Sequence, residues 1–255
     1  MGKRVTGPLH GKRVVVTGAA SGIGRATFKA FLGEEAIAIG IDLKQPEQPD
    51  GEIVIADLTR EIEVVAAAGE IAARLGGVDI LVNCAGIEIE STLVEFDAMD
   101  FDLMVAVNVR GTALMAREML RLMPEGGRII NLASELAYLG RAGASGYCAT
   151  KGAILSMTRS WARELGPRIL VNAVAPGPID TPLLHFHELP PEIQALEITN
   201  PLGRIGRPEE VAAAILFLAG PGASFMTGQC IGVDGGAAMR LGDGSKRFHG
   251  RAELA

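Results

Sequence analysis

Apolar runs alternate with helical patterns along most of the chain. RVVVTG (13–18), AIAIGID (36–42), IVIADL (53–58) and VDILVNCAG (78–86) are short runs rich in β-branched residues. GRIINLAS (127–134), ILVNAVAPG (169–177) and QCIGVDGG (229–236) complete a set of seven strand candidates. Between them, SGIGRATFKAFLGE (21–34), the stretches from Arg60 to Leu75, Phe96 to Met123 and Tyr147 to Leu165, and PEEVAAAILFLAG (208–220) read as helices. A strand that is apolar throughout, not at every second position, is covered on both faces. Such strands separated by helices predict an α/β fold, a doubly wound parallel seven-stranded sheet with helices on both faces. The elements follow one another too closely for a second domain, so residues 1–255 are expected to form one domain with its core at about 11–236. Pro and Gly gather between Pro176 and Pro208, which predicts an irregular loop or lid. After Leu241 the chain turns polar, and 242–255 is expected to be a surface tail.

Composition narrows the function classes. Hydrophobic residues make up 48% of the 255, enough to bury a substantial core. The net charge of -6 and the absence of a long Lys/Arg run leave no nucleic-acid footprint. No apolar stretch reaches the roughly 18 to 20 residues that span a bilayer. The basic start MGKRVTGPLHGKR leads into no apolar signal core, so a cytoplasmic protein with no membrane partner is expected. Cys84, Cys148 and Cys230 are far apart and read as reduced, mostly buried thiols. Of His10, His185, His187 and His249 only the middle two are close, with no Cys beside them, so no metal is expected.

Two stretches carry chemistry. The first strand runs into TGAASGIG, which places Gly18, Ser21, Gly22, Ile23 and Gly24 between a strand and a helix. A turn of this kind lets the backbone approach a pyrophosphate, and the helix aims its N-terminal amides at the anion. Asp42 ends the second strand, where a carboxylate accepts hydrogen bonds from a ribose 2'-hydroxyl and repels a 2'-phosphate. The plainer reading is a strand-end Asp beginning a turn. Asp42, and the lack of an arginine in the loop before Gly22, favour NAD over NADP, although Lys44 softens the argument. The second stretch is YCATK, in which Tyr147 and Lys151 share one helix face at a spacing of four. A free tyrosine titrates near pH 10 and is a poor base at neutral pH; a nearby ammonium stabilises the phenolate. Lowering the phenol by about 2 to 3 pH units corresponds to roughly 3 to 4 kcal/mol.

Together these residues resemble the short-chain dehydrogenase/reductase family, in its branch of roughly 250 residues, over about Gly11 to Gly236. TGAASGIG is similar to the family's T-G-x-x-x-G-x-G loop. Asp57 and Leu58 match the position that caps the adenine pocket. NCAG, with Asn83, Ala85 and Gly86, is similar to the family's N-N-A-G strand end, Cys84 replacing the second Asn. PGPIDT, with Pro176, Gly177, Ile179 and Thr181, resembles the segment that lines the nicotinamide. Asn108, Ser134, Tyr147 and Lys151 fall where the catalytic tetrad stands. The resemblance implies a Rossmann-type fold and a nicotinamide cofactor, with Tyr147 and Lys151 also touching it. It implies that Tyr147 is the general base or acid, that Ser134 orients the substrate oxygen, and that Asn108 anchors a water leading from Lys151 to solvent. It also implies a homo-oligomer, most often a tetramer, packed through helices around 100–123 and 150–165. The Tyr-to-Lys spacing of four sets the enoyl reductase branch aside.

The substrate is expected to be a small molecule held by Ser134, Glu135, Leu136 and Leu184, with Glu88, Gly140, Arg141, Leu183, His185 and His187 in the variable loops nearby. The favoured function is an NAD-dependent oxidoreductase of a secondary alcohol, sugar or polyol-like compound. An alternative is a 3-oxoacyl-carrier-protein reductase-like enzyme using NADPH, although Leu170 stands where that group usually has arginine. An alternative of another class is a non-catalytic NAD-binding sensor or scaffold, against which the intact tetrad argues.

Overall fold

The computed structural model describes residues 7–239. Seven strands are present: β1 (Arg13–Thr17), β2 (Ile37–Asp42), β3 (Ile53–Ile55), β4 (Ile80–Asn83), β5 (Gly127–Leu132), β6 (Ile169–Pro176) and β7 (Cys230–Val233). They pair in the order β3-β2-β1-β4-β5-β6-β7, and every pairing is parallel. Helices α1 (Gly22–Gly33), α2 (Glu61–Leu75), α3 (Ala98–Val105), α4 (Thr112–Leu120), α5 (Leu136–Leu139), α6 (Ser145–Leu165), α7 (Pro191–Glu197) and α8 (Pro208–Ala219) connect them.

The apolar strands feed cores on both faces of the sheet. Along β1, Val14 and Val16 join Phe28 and Phe31 of α1 and Ile215 and Leu218 of α8. Val15, pointing the other way, joins Val64 and Ile71 of α2 and Met115 and Met119 of α4. Successive side chains of a strand face opposite sides, so an unbroken apolar run is what a sheet covered on both faces requires. The strand order reverses between β1 and β4, and in such sheets the crevice beyond the strand ends at that point takes the ligand. Both glycine-rich segments, after Thr17 and after Asn83, leave the sheet there.

Several elements differ from the sequence pattern. The helix expected over 96–123 is interrupted by a π-helical segment at Ala106–Gly111, which carries Asn108. Strands β3 and β4 stop at Ile55 and Asn83, short of their apolar runs, because the remaining residues turn out toward the crevice. The loop after Pro176 is not wholly irregular: it holds α7, started by Pro191 at its first turn. Of the three thiols only Cys84 is buried; Cys148 and Cys230 are partly exposed. The tail expected at 242–255 lies outside the described residues, among which no helix is long and apolar enough to cross a membrane.

Candidate active site

The tip of β1 is fastened to the tip of β4: the Thr17 Oγ1 accepts the amides of Cys84 and Ala85, each at 3.1 Å. The following turn has room only for glycine. Gly18 has a φ of +69°, and a Cβ on Gly24 would stand 2.0 Å from the Gly18 carbonyl oxygen. That close approach opens the N-terminus of α1 onto a cavity of about 280 Å³, with Gly18, Ser21, Gly22, Ile23 and Gly24 in its wall. Ser21, the N-cap residue, makes no side-chain capping bond, so amides of the first turn stay available to an anion. Asp42, Asp57 and Leu58 line the far end, and Ala85, Gly86 and Thr181 the near end. The Asp42 carboxylate accepts Ala20 N at 2.9 Å and Leu43 N at 2.8 Å, so it shapes the turn while it faces the cavity. An uncapped helix end, a glycine cradle and a fixed carboxylate together fit a nicotinamide dinucleotide.

A second cavity, of about 370 Å³, adjoins the first and shares Ile23, Cys84, Gly86, Leu132, Thr181 and Leu183 with it. Ser134, Tyr147 and Lys151 line it, as do Pro176, Gly177 and Ile179 of the segment after β6. Glu135, Leu136 and Leu184 also stand in its wall. Tyr147 and Lys151 are 8% and 3% exposed, so both charged forms are poorly solvated. Lys151 Nζ donates to the Leu132 carbonyl at 2.8 Å and lies 5.6 Å from the centre of the Tyr147 ring. Burial lowers the ammonium to about 8. The expectation of a depressed phenol does not hold for the chain by itself. Burial first, and the Glu88 carboxylate second, push Tyr147 above the ordinary tyrosine range, while Ser134 and Arg141 pull the other way.

Two of the expected catalytic and cofactor-binding residues do not line either cavity, and of the expected substrate loops Gly140 and His187 do not either. Asn83 is buried at the end of β4, where its Nδ2 donates to Asn131 Oδ1 at 2.9 Å and Asn131 in turn donates to Thr158 at 3.0 Å. This chain of amides braces β4, β5 and α6, and Asn83 is not among the residues lining the first cavity. Asn108 is 1% exposed. Its Oδ1 accepts Ile87 N at 2.9 Å, and its Nδ2 donates to Ile87 O at 2.9 Å and to Thr150 Oγ1 at 3.0 Å. Thr150 Oγ1 donates to the Tyr147 carbonyl at 2.8 Å. The amide therefore holds the turn that bears Tyr147 against the loop after β4.

The structure also gathers an acidic cluster that no sequence spacing announced. Arg141 donates to Glu88 at 2.7 Å and to Glu197 of α7 at 3.3 Å, and it also meets Glu90. The three carboxylates and the guanidinium stand in the wall of the second cavity. They come from the loop after β4, the loop before α6 and α7, so only the fold brings them together. Among the described residues, no group of three or more His, Cys, Asp or Glu could hold a metal ion. His185 and His187 are exposed, each 3.6 Å from a single carboxylate.

A family model described as enoyl-(acyl carrier protein) reductase matches residues 18–238. A 3-oxoacyl-[acyl-carrier-protein] reductase of Thermotoga maritima is 37% identical over 246 residues, covering 91% of this chain and 99% of that protein. The chain belongs to the short-chain dehydrogenase/reductase family. Its similarity within that family reaches a sorbitol dehydrogenase of Cereibacter sphaeroides, 35% identical over 253 residues, covering 91% of this chain and 99% of that one. The ligand-free structure of Thermoplasma acidophilum aldohexose dehydrogenase matches with a TM-score of 0.85 at 33% identity, over 91% of this chain and 96% of that one. This short-chain dehydrogenase/reductase is thus an oxidoreductase that uses a nicotinamide cofactor.

Proposed function

We propose that the chain is an NAD-dependent dehydrogenase that oxidises a secondary alcohol group in a small polar compound, a sugar or polyol-like molecule. The observation that carries this reading is the shared wall: the cavity holding Ser134, Tyr147 and Lys151 opens beside the one framed by the glycine turn. The nicotinamide, when bound, supplies the hydride acceptor. Ser134 holds the substrate oxygen and Tyr147 removes the hydroxyl proton, returning it when the reaction runs toward the alcohol. Lys151, tethered to the Leu132 carbonyl, keeps a positive charge near the phenol and so favours its ionised form. In the chain alone burial and the Glu88 carboxylate hold the phenol above its ordinary range, so oxidation is expected to quicken as pH rises.

Asp42 supports NAD as the cofactor. Its carboxylate is pinned by two backbone amides at the cavity wall and would meet a 2'-phosphate with like charge. The likeness to the sorbitol and aldohexose dehydrogenases supports a polyhydroxy substrate. The Thermotoga maritima relative favours a second reading, an NADPH-dependent 3-oxoacyl-carrier-protein reductase. Asp42 and the carboxylates beside the catalytic cavity weigh against it, since an acidic carrier would approach an acidic mouth. A cytoplasmic homotetramer completes the proposal. Met99 and Leu103 leave an apolar face of α3 uncovered, at 75% and 45% exposure, whereas Trp161 and Leu165 of α6 pack partly within the chain.

The test is to titrate the protein with NAD and with NADP and to follow reduced nicotinamide over secondary alcohols, polyols and hydroxy acids. Reduction of NAD by one class, lost by roughly a hundredfold or more in Tyr147→Phe while NAD still binds, is the expected result. Preference for NADP would overturn the Asp42 argument. Unchanged turnover in Tyr147→Phe would remove the assigned chemistry.

A further inference from the structure

Glu135 follows Ser134 directly, and its backbone N–H is fixed to the Pro176 carbonyl at 2.9 Å. The residue is 7% exposed, yet its Oε2 has no hydrogen-bond partner among the described residues. A buried acceptor left unsatisfied is destabilising, and native proteins keep few of them. Among the described residues, the neighbouring charged side chains are already engaged. Arg141, the guanidinium whose charge reaches it, is spent on Glu88, Glu90 and Glu197. Asp234, behind it, is a carboxylate whose oxygens accept Gly236 N and Ala238 N at 2.9 and 2.8 Å. Gly177 lets the carboxylate sit close against the segment after β6: a Cβ there would stand 2.9 Å from Oε2 and 2.8 Å from the Asp234 Cα. Glu135 lines both the catalytic cavity and a neighbouring one that reaches Leu139 and Asn200.

We infer that Glu135 determines substrate specificity by accepting a hydrogen bond from a second hydroxyl, so that the cavity takes a diol or polyol in preference to a monohydroxy alcohol. The inference rests on the dehydrogenase reading above and adds to it the group that reads the rest of the substrate. A hydroxyl suits the site better than an ammonium. Arg141 is shared by Glu88, Glu90 and Glu197, and its charge also reaches Glu135. Burial first, then the charges of Asp234 and Glu197, opposed by Arg141, raise that carboxyl to about 7, so it is half protonated near neutrality. A neutral donor is compatible with that state.

Three probes of matched shape separate the possibilities: sec-butanol, propylene glycol and isopropanolamine, which differ in a terminal methyl, hydroxyl or ammonium. The wild-type protein with NAD is expected to show a kcat/KM for propylene glycol at least about tenfold above that for sec-butanol. Glu135→Leu is expected to collapse that ratio toward one, mainly through KM. A ratio that survives the substitution overturns the inference, as does a wild-type preference for isopropanolamine that disappears with Glu135. Should the leucine variant fail to fold, Glu135→Gln keeps the shape. The wild-type KM for the glycol should then fall as pH rises through about 7, because the ionised carboxylate is the better acceptor, and the glutamine variant should lose that dependence. If no alcohol reduces NAD, the dehydrogenase reading fails by itself. The Glu135 carboxyl band, isolated as the infrared difference between wild type and Glu135→Gln, still reads the contact. A shift of that band on adding propylene glycol supports it, and an unmoved band at saturating glycol overturns it.

Discussion

At the scale of the residue, burial governs the titrating groups of this site. Tyr147 is pushed up by desolvation and by Glu88, and Lys151 is pulled down to about 8 by desolvation. Replacing Glu88 by Gln removes a negative charge that disfavours the phenolate. The limb of NAD reduction that follows Tyr147 is therefore expected to move to lower pH, as read from kcat/KM profiles; a limb that stays or rises would contradict the assignment. Glu135 allows a stability test that needs no substrate. Its folded-state value of about 7 lies above the ordinary 4.5, so the folded protein holds this proton more tightly than the unfolded chain. The resulting destabilisation is absent at low pH and grows as pH rises from about 4.5 to about 7, reaching at most about 3 kcal/mol. Glu135→Gln should therefore raise the Tm at neutral pH and lose that advantage at about pH 4.5. Equal effects at both values would show that the carboxyl is not held protonated. The glycines, the Tyr-Lys pair and Asp42 were legible as residues because their spacing repeats a chemical requirement. The double duty of Asp42, facing the cavity while fixing Ala20 and Leu43, was not, since hydrogen bonds to a turn leave no periodic trace.

At the scale of the element, Gly24 leaves less room for a Cβ than any other described glycine. A methyl group on Gly24 would collide with the Gly18 carbonyl, so Gly24→Ala must push α1 away from β1. The cost is expected to be about 1–3 kcal/mol of stability. Cofactor affinity should fall at least about tenfold, because the helix amides lose their aim. Thermal unfolding and quenching of protein fluorescence by NADH check the two effects, and an unchanged affinity would separate the cofactor from this helix end. The helix over 96–123 shows where pattern reading stops. Its apolar spacing continues through Ala106–Gly111, but the backbone there adopts a π-helical turn, a form found often at functional sites. The turn carries Asn108, whose side chain ties Ile87 to Thr150. Hydrophobic periodicity reports which face is buried, not which carbonyl each amide reaches, so neither the turn nor the binding of Asn108 to α6 could be read from it.

At the scale of the whole molecule, charge bears on the choice of partner. The chain carries a net charge of -6, and Glu88, Glu90 and Glu197 stand at the catalytic cavity around one arginine. A 3-oxoacyl group on its acidic carrier protein is therefore expected to be reduced no faster than the same group on free pantetheine, at equal concentration and low salt. Faster turnover of the carrier-bound thioester would favour the biosynthetic reading. By itself the sequence determined the α/β class, the seven strands and the glycine turn, because unbroken apolar runs, 3.6-residue spacing and Gly at a crowded turn are local consequences of backbone geometry. The order of short motifs also identified the family. Only the tertiary structure decided that Asn83 braces β4 against β5, that Arg141 joins carboxylates of the loop after β4 to one of α7, and that Glu135 Oε2 is buried without a partner among the described residues. These are contacts between residues far apart in the chain. Their existence depends on how the strand ends and loops meet beyond the sheet, and nothing in the local spacing of any one segment encodes that meeting.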